Sequence, residues 1–182
     1  MREAFLSADR ELIEMCHEKK LNYVSSTGVT ALFWRNVLTI AHVGDSRACI
    51  TKLISGAITP EWLTVDHKPN TPAELRRIEK CGGSLVWLHG VKPYIRYHIL
   101  DCIRDLIFSL SSYHDMPRGG DFSSRQAMGE RPKQLNYSRA FGGKDLKNYG
   151  LIAEPDVSHF EIASDDRILI LGSDGLWVSH IS

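Results

Sequence analysis

Near its end the chain reads "ILILGSDGLW", Ile168–Trp177, an apolar run that delivers Asp174 into a glycine turn. A carboxylate presented in this way either holds something at the end of a strand or caps the turn that carries it. A second polar stretch, Asp45-Ser46-Arg47 in "VGDSR", sets an acid, a hydroxyl and a base side by side. No histidine is spaced to activate Ser46, which argues against a nucleophile and for turn chemistry. His67 in "TVDHKP" stands just before a helix start, where fixing the loop suits it better than catalysis. The other histidines (His17, His42, His89, His98, His114, His159 and His180) show no ligand spacing, and Cys16, Cys49, Cys81 and Cys102 contain no C-x-x-C pair. Zinc and a disulfide framework are thereby disfavoured, and the cysteines read as small core residues of a reducing compartment.

The elements that must position these groups are legible from period and punctuation. Ala4, Phe5, Ala8, Leu12 and Met15 recur at three- and four-residue steps, which predicts an amphipathic helix over Arg2–His17. From Val29 the runs "VTALFW", "VLTIAHV" and "ACITKL", split by Arg35-Asn36 and Gly44-Asp45-Ser46-Arg47, predict a meander of three antiparallel strands. Thr71, Pro72 and Glu74 are placed as cap, first and third residues of a helix ending at Gly82-Gly83, with Leu75 and Ile78 inward. A strand follows in "YGLIAEPDVSHFEI", then a hairpin turn at Ser164–Arg167 and a final strand Ile168–Leu171. The more apolar stretch Tyr97–Pro117 lies between loop-like neighbours rich in glycine and proline. Around it, Lys92, Arg96, Arg125, Arg131 and Lys133 form a solvated surface or a contact for an acidic phosphopeptide.

The 182 residues suffice for one domain with a real core. Lysines plus arginines (22) equal aspartates plus glutamates (22), so no net field points to nucleic acid or an anionic membrane. The charged N-terminus lacks a signal-peptide core and no apolar run approaches the ~20 residues of a span, so a cytoplasmic or nuclear protein is expected.

Taken in order, "STGVTA", "IAHVGDSRACI", "LTVDHKP" with Glu74, Arg77, Ile78 and Gly82-Gly83, "LNYSRAFGG", Lys147, "GLIAEPDV" and "ILILGSDGLW" resemble the type 2C (PPM-type) metal-dependent protein serine/threonine phosphatases. The resemblance runs over Phe5–Trp177 apart from the middle. It implies an α+β fold, an α-β-β-α sandwich of two antiparallel sheets flanked by helices. In the family two Mg²⁺ or Mn²⁺ ions bridge a water that attacks phosphoserine or phosphothreonine in phosphoprotein substrates. Asp174 matches the family's metal-ligand aspartate.

The same resemblance marks what is missing. The family's Asp-Gly-His-Gly-Gly ligand motif, its upstream acidic pair and arginine, and its downstream Asp-Asn motif have no match, and Val178 and Gly143 stand where aspartates are usual. Asp145 is the nearest carboxylate to the latter, and reads as a solvated turn residue. One carboxylate cannot neutralise two divalent ions, so the chain is expected to be an incomplete domain, 1–182, a monomer if folded, with weak or no activity of its own. A phosphatase-like binding module is the alternative. Joining Arg96 to Gly119 gives the smooth "KPYIRGGDF", so residues 97–118 are read as an insertion.

Overall fold

The alternation over residues 28–62 produces four strands, β2 (Gly28–Trp34), β3 (Val37–Val43), β4 (Arg47–Ile54) and β5 (Ala57–Trp62), after a helix α1 (Arg2–Glu18) and a short β1 (Ser25–Ser26). The computed structural model describes residues 1–21, 24–88, 92–96 and 134–177, so the segment 97–118 and the tail with Val178 lie outside the described residues. The three-stranded meander is not what forms. β3 pairs antiparallel with β2 and with β10 (Asp156–Glu161), whereas β4 pairs with β5 and with β11 (Asp166–Gly172). The "VGDSR" turn therefore crosses between sheets, and so does the turn at Ser164-Asp165, which is not a hairpin.

The reason is burial. Leu38 and Ile40 on β3 and Ala48 and Ile50 on β4 each occupy one face of their strand. In one flat sheet those faces would share a side and stay half wet; opposed across a sandwich they form a core with Leu63, joined by Val29, Ala31, Phe160, Ile162 and Leu169. Gly44 makes the sharp exit possible, with φ at +87° and Thr27 so close that a Cβ would lie 2.2 Å from its methyl carbon.

Helix α1 covers the outer side of the β10-β3-β2 sheet, Phe5 packing on Ala41, Val43 and Phe141. Its buried stripe is rotated from the expected one. Phe5, Asp9 and Cys16 are buried while Ala4, Ala8 and Met15 face out, because Asp9 has polar partners inside. Helix α2 (Pro72–Lys80) starts and stops as predicted, but not through its expected cap: the Thr71 hydroxyl donates to the Lys68 carbonyl and Glu74 turns inward. Leu75 is half-buried. Ile78 joins Ile95, Ala140, Leu146 and Leu151 in a second core, beside a sheet of β6 (Ser84–Leu88), β7 (Lys92–Arg96) and β8 (Gln134–Leu135). β9 (Phe141–Gly142) pairs with β1, followed by α3 (Lys144–Lys147); α4 (Asp174–Trp177) ends the described chain. Cys16 and Cys49 are buried thiols, but Cys81 at the end of α2 is exposed and not a core residue. Among the described residues no helix is long and apolar enough to cross a membrane.

Candidate functional site

The polar residues gather at the end of the sandwich where β3 passes into β4. In the antiparallel pair of β4 and β11, Arg47 stands opposite Gly172. Asp45 lies two residues before that pair and Asp174 two residues after it, so both carboxylates leave the sheet at the same end. Tyr137 feels both. Burial raises its phenol pKa, the charges of Asp45 and Asp174 push it further up, and a 2.8 Å hydrogen bond with the Ser25 hydroxyl opposes the shift. Asp174 is exposed, whereas Asp45 is buried and takes a hydrogen bond from Lys68 Nζ at 2.5 Å. Helix α4 is anchored by Trp177, whose Nε1–H donates to the Gly172 carbonyl (2.8 Å) and whose ring meets Trp62 edge-on at 5.0 Å. Arg47 lies over the same Trp62 ring and donates two hydrogen bonds to Asp66, at 2.7 and 2.8 Å. The Ser46 hydroxyl contacts Thr27 Oγ1 at 2.8 Å, a hydroxyl–hydroxyl bond that ties the turn to the residue before β2.

Behind this end lies a saturated ion cluster. Glu74 is buried and accepts from both terminal nitrogens of Arg77 (2.7 and 2.8 Å), from Arg139 (2.9 Å) and from the Ser138 hydroxyl. Burial alone raises a carboxyl pKa, but the bonds from Arg77, Arg139 and Ser138 outweigh it and hold Glu74 well below the usual carboxylate range. Arg77 also donates to the carbonyls of Gly150 and Ser138 (both 3.0 Å), and Arg139 to Asp156 (2.8 Å), so the cluster ties α2 to both flanking segments.

His42, His67 and Asp156 bring ligand-type atoms within 4.8 Å of one another, a grouping the sequence spacing gave no sign of. The two rings stack at 4.5 Å. Both are committed. The Val65 carbonyl 2.9 Å from His42 Nε2 can only accept, so that nitrogen carries a proton; the Gly44 amide can only donate, so His67 Nδ1 (3.0 Å) is the acceptor and its proton is on Nε2. Nε2 faces Asp156 Oδ2 at 3.2 Å but out of line for a hydrogen bond. For a metal to bind His67 Nε2, the ring proton would have to move and the Gly44 bond break. Burial, with the charge of Arg139 adding to it, lowers the His67 pKa to about 4, so the ring is a neutral post. Its backbone bonds Gly44 and Ser138, the loop-fixing role expected of it.

On the far side of β9, Asp9 of α1 accepts from the Gly142 amide (2.7 Å) and from Lys147 Nζ (2.9 Å). Gly143 has φ at +62°, and a Cβ there would fall 2.5 Å from a Leu151 methyl carbon, so the loop is shaped for glycine. Asp145 is half-buried in the first turn of α3 rather than solvated. Arg125, Arg131 and Lys133 lie outside the described residues. Asp45, read from the sequence only as part of a turn, is the residue whose place at this end was not foreseen. Its signal was its place at the entry of a strand that pairs with the strand before Asp174, but that pairing is not written in the sequence.

Comparison with known proteins matches residues 1–179 to the family model "Protein phosphatase 2C". The chain belongs to the protein phosphatase 2C family. Its curated relatives include the Arabidopsis thaliana "Probable protein phosphatase 2C 41", 35% identical over 83% of this chain and 36% of the relative. Another from that plant, "Probable protein phosphatase 2C 33", is 33% identical over 97% of this chain and 31% of the relative. A crystal structure of serine-threonine phosphatase 2C from Toxoplasma gondii superposes with a TM-score of 0.76 at 41% identity, covering 100% of this chain and 51% of that one. A C. elegans sex determining protein shares the fold, with a TM-score of 0.68 at 19% identity. The chain thus spans about a third of the length of these two curated protein phosphatase 2C relatives. Members of the family are metal-dependent serine/threonine protein phosphatases, and the α+β architecture of antiparallel sheets is theirs.

Proposed function

We propose that this chain is part of a phosphoserine/phosphothreonine phosphatase acting on phosphoproteins, and that it supplies one wall of a Mg²⁺ or Mn²⁺ site through Asp174 with Asp45 beside it. What carries the reading is that these two carboxylates flank the Arg47–Gly172 pair at one end of the sandwich. Carboxylate oxygen, one side open to solvent, is the donor chemistry that hard divalent cations take. The donors fit one ion. Two would bring four positive charges against two carboxylates, one of them already paired with Lys68. A bound ion would lower the pKa of its water from about 15.7 toward neutrality and so supply a nucleophile for phosphorus.

The chain's own residues do the holding. The Gly44 turn and its bond to His67 fix Asp45, and Trp177 and Trp62 fix the start of α4 under Asp174. The partial domain 1–182, monomeric, with 97–118 as an insertion, completes the reading. The test is a Mn²⁺ titration followed by phosphopeptide hydrolysis, comparing the chain with Asp174→Ala. One weakly held ion, lost in the variant, and no turnover are expected. Two tightly held ions in this chain, or metal-dependent turnover lost in the variant, would overturn the reading of it as a partial site.

A further inference from the structure

Asp45 is the buried carboxylate of the candidate site, its side chain 6% exposed, and among the ion pairs of the described residues only Lys68 reaches it. Asp66, two residues before Lys68 in the same loop, is already bound at both carboxylate oxygens by Arg47. Lys68 is therefore the group that compensates Asp45, and the compensation is of a removable kind. An ammonium is a point charge on a four-carbon stem, a third of this side chain is open to solvent, and Asp66 Oδ2, though it also accepts from Arg47, lies 3.8 Å from Nζ as a second carboxylate for it to share.

We propose that Lys68 is an internal counter-ion that occupies Asp45 until a divalent cation displaces it, so that metal enters this end of the sandwich by exchange with an ammonium. The inference rests on the metal reading above. The physical basis is that a buried carboxylate without a cation is costly, so Asp45 must always be paired. Lys68 and the metal satisfy the same oxygens, and each must release them for the other to bind. Lys68 is a positioning residue, setting the affinity of the site without being a ligand. Arg47 cannot serve in the same way, because its guanidinium is held by Asp66 and the face of Trp62.

The test is free-Mn²⁺ titration by electron paramagnetic resonance on the whole chain, with Lys68→Met, Lys68→Arg and Lys68→Met/Asp45→Asn. Lys68→Met should bind Mn²⁺ at least tenfold more tightly than the unaltered chain, Lys68→Arg should show no gain, and Asp45→Asn should erase the gain. Equal or weaker binding by Lys68→Met, or a gain that survives Asp45→Asn, overturns the counter-ion role while leaving the metal reading in place. Absence of binding in every form overturns both. Should Lys68→Met not fold, the unaltered chain decides: acylation of Lys68, read by mass spectrometry, should rise several-fold as Mn²⁺ binds, and constant reactivity at saturating Mn²⁺ overturns the exchange.

Discussion

Two acidic regions lie within one end of this molecule and are built in opposite ways. Glu74 is surrounded by two arginines and a serine hydroxyl, with every donor also tied to the backbone or to another acid. Asp45 has one lysine, and Asp174 faces solvent. The contrast teaches how to tell a structural carboxylate from one available to a ligand. Where the protein's own donors saturate both oxygens nothing can be added, and where one partly exposed ammonium or water is the only partner, a cation can take its place.

The largest loss is expected at Glu74. Glu74→Gln leaves Arg77 and Arg139 facing each other without their shared anion, and stability should fall by about 3–5 kcal/mol, read from urea unfolding. A loss below about 1 kcal/mol would mean the cluster is no more structural than a surface pair. Acid should attack the same framework through His67. Its folded pKa of about 4 lies below the ordinary 6.5, so the unfolded chain binds the proton first. The stability it contributes is complete above pH 6.5 and drains away as pH falls toward 4, a change on the order of 3 kcal/mol. Unfolding curves across that window should show the slope, and His67→Asn should flatten it.

Asp9→Asn should cost less, roughly 1–3 kcal/mol, because it weakens the bond from Lys147 but keeps an oxygen for the Gly142 amide. Thermal melts should detect it, and exchange of the α1 amides should quicken. The smallest effect is expected at the other pole. Asp174→Asn removes an exposed carboxylate that the fold does not use, so stability should move by no more than about 0.5 kcal/mol. Mn²⁺ binding should be lost in the same variant, which sharpens the distinction between the two kinds of acid.

Much of the architecture was legible because it is local. The start and stop of α2 follow from Pro72 and from Gly82-Gly83, and α1 ended within one residue of its expected bound. Strand character at 29–34, 37–43 and 168–171 was equally clear, although the last strand starts at Asp166, inside the stretch expected to be a turn. Pairing was not. The turns at Gly44–Ser46 and at Ser164-Asp165 look like hairpins, since hairpin and crossover turns use the same residues, and only the burial of two opposed apolar faces chooses between them. The α1 stripe was misplaced for a related reason. Asp9 lies off the expected apolar stripe, yet the Gly142 amide and Lys147, over a hundred residues away, make its burial favourable.

The candidate site divides along the same line. Neighbouring residues in the chain were enough to place Asp174 at a turn after an apolar strand and His67 in the service of a loop. Tertiary structure alone decided that Asp45 stands at the same end as Asp174, that His42 meets His67 and Asp156, and that Lys68 holds the buried acid. Strand and turn propensities act over a few residues, whereas which charges meet depends on which faces must leave water together, and that is a property of the folded chain.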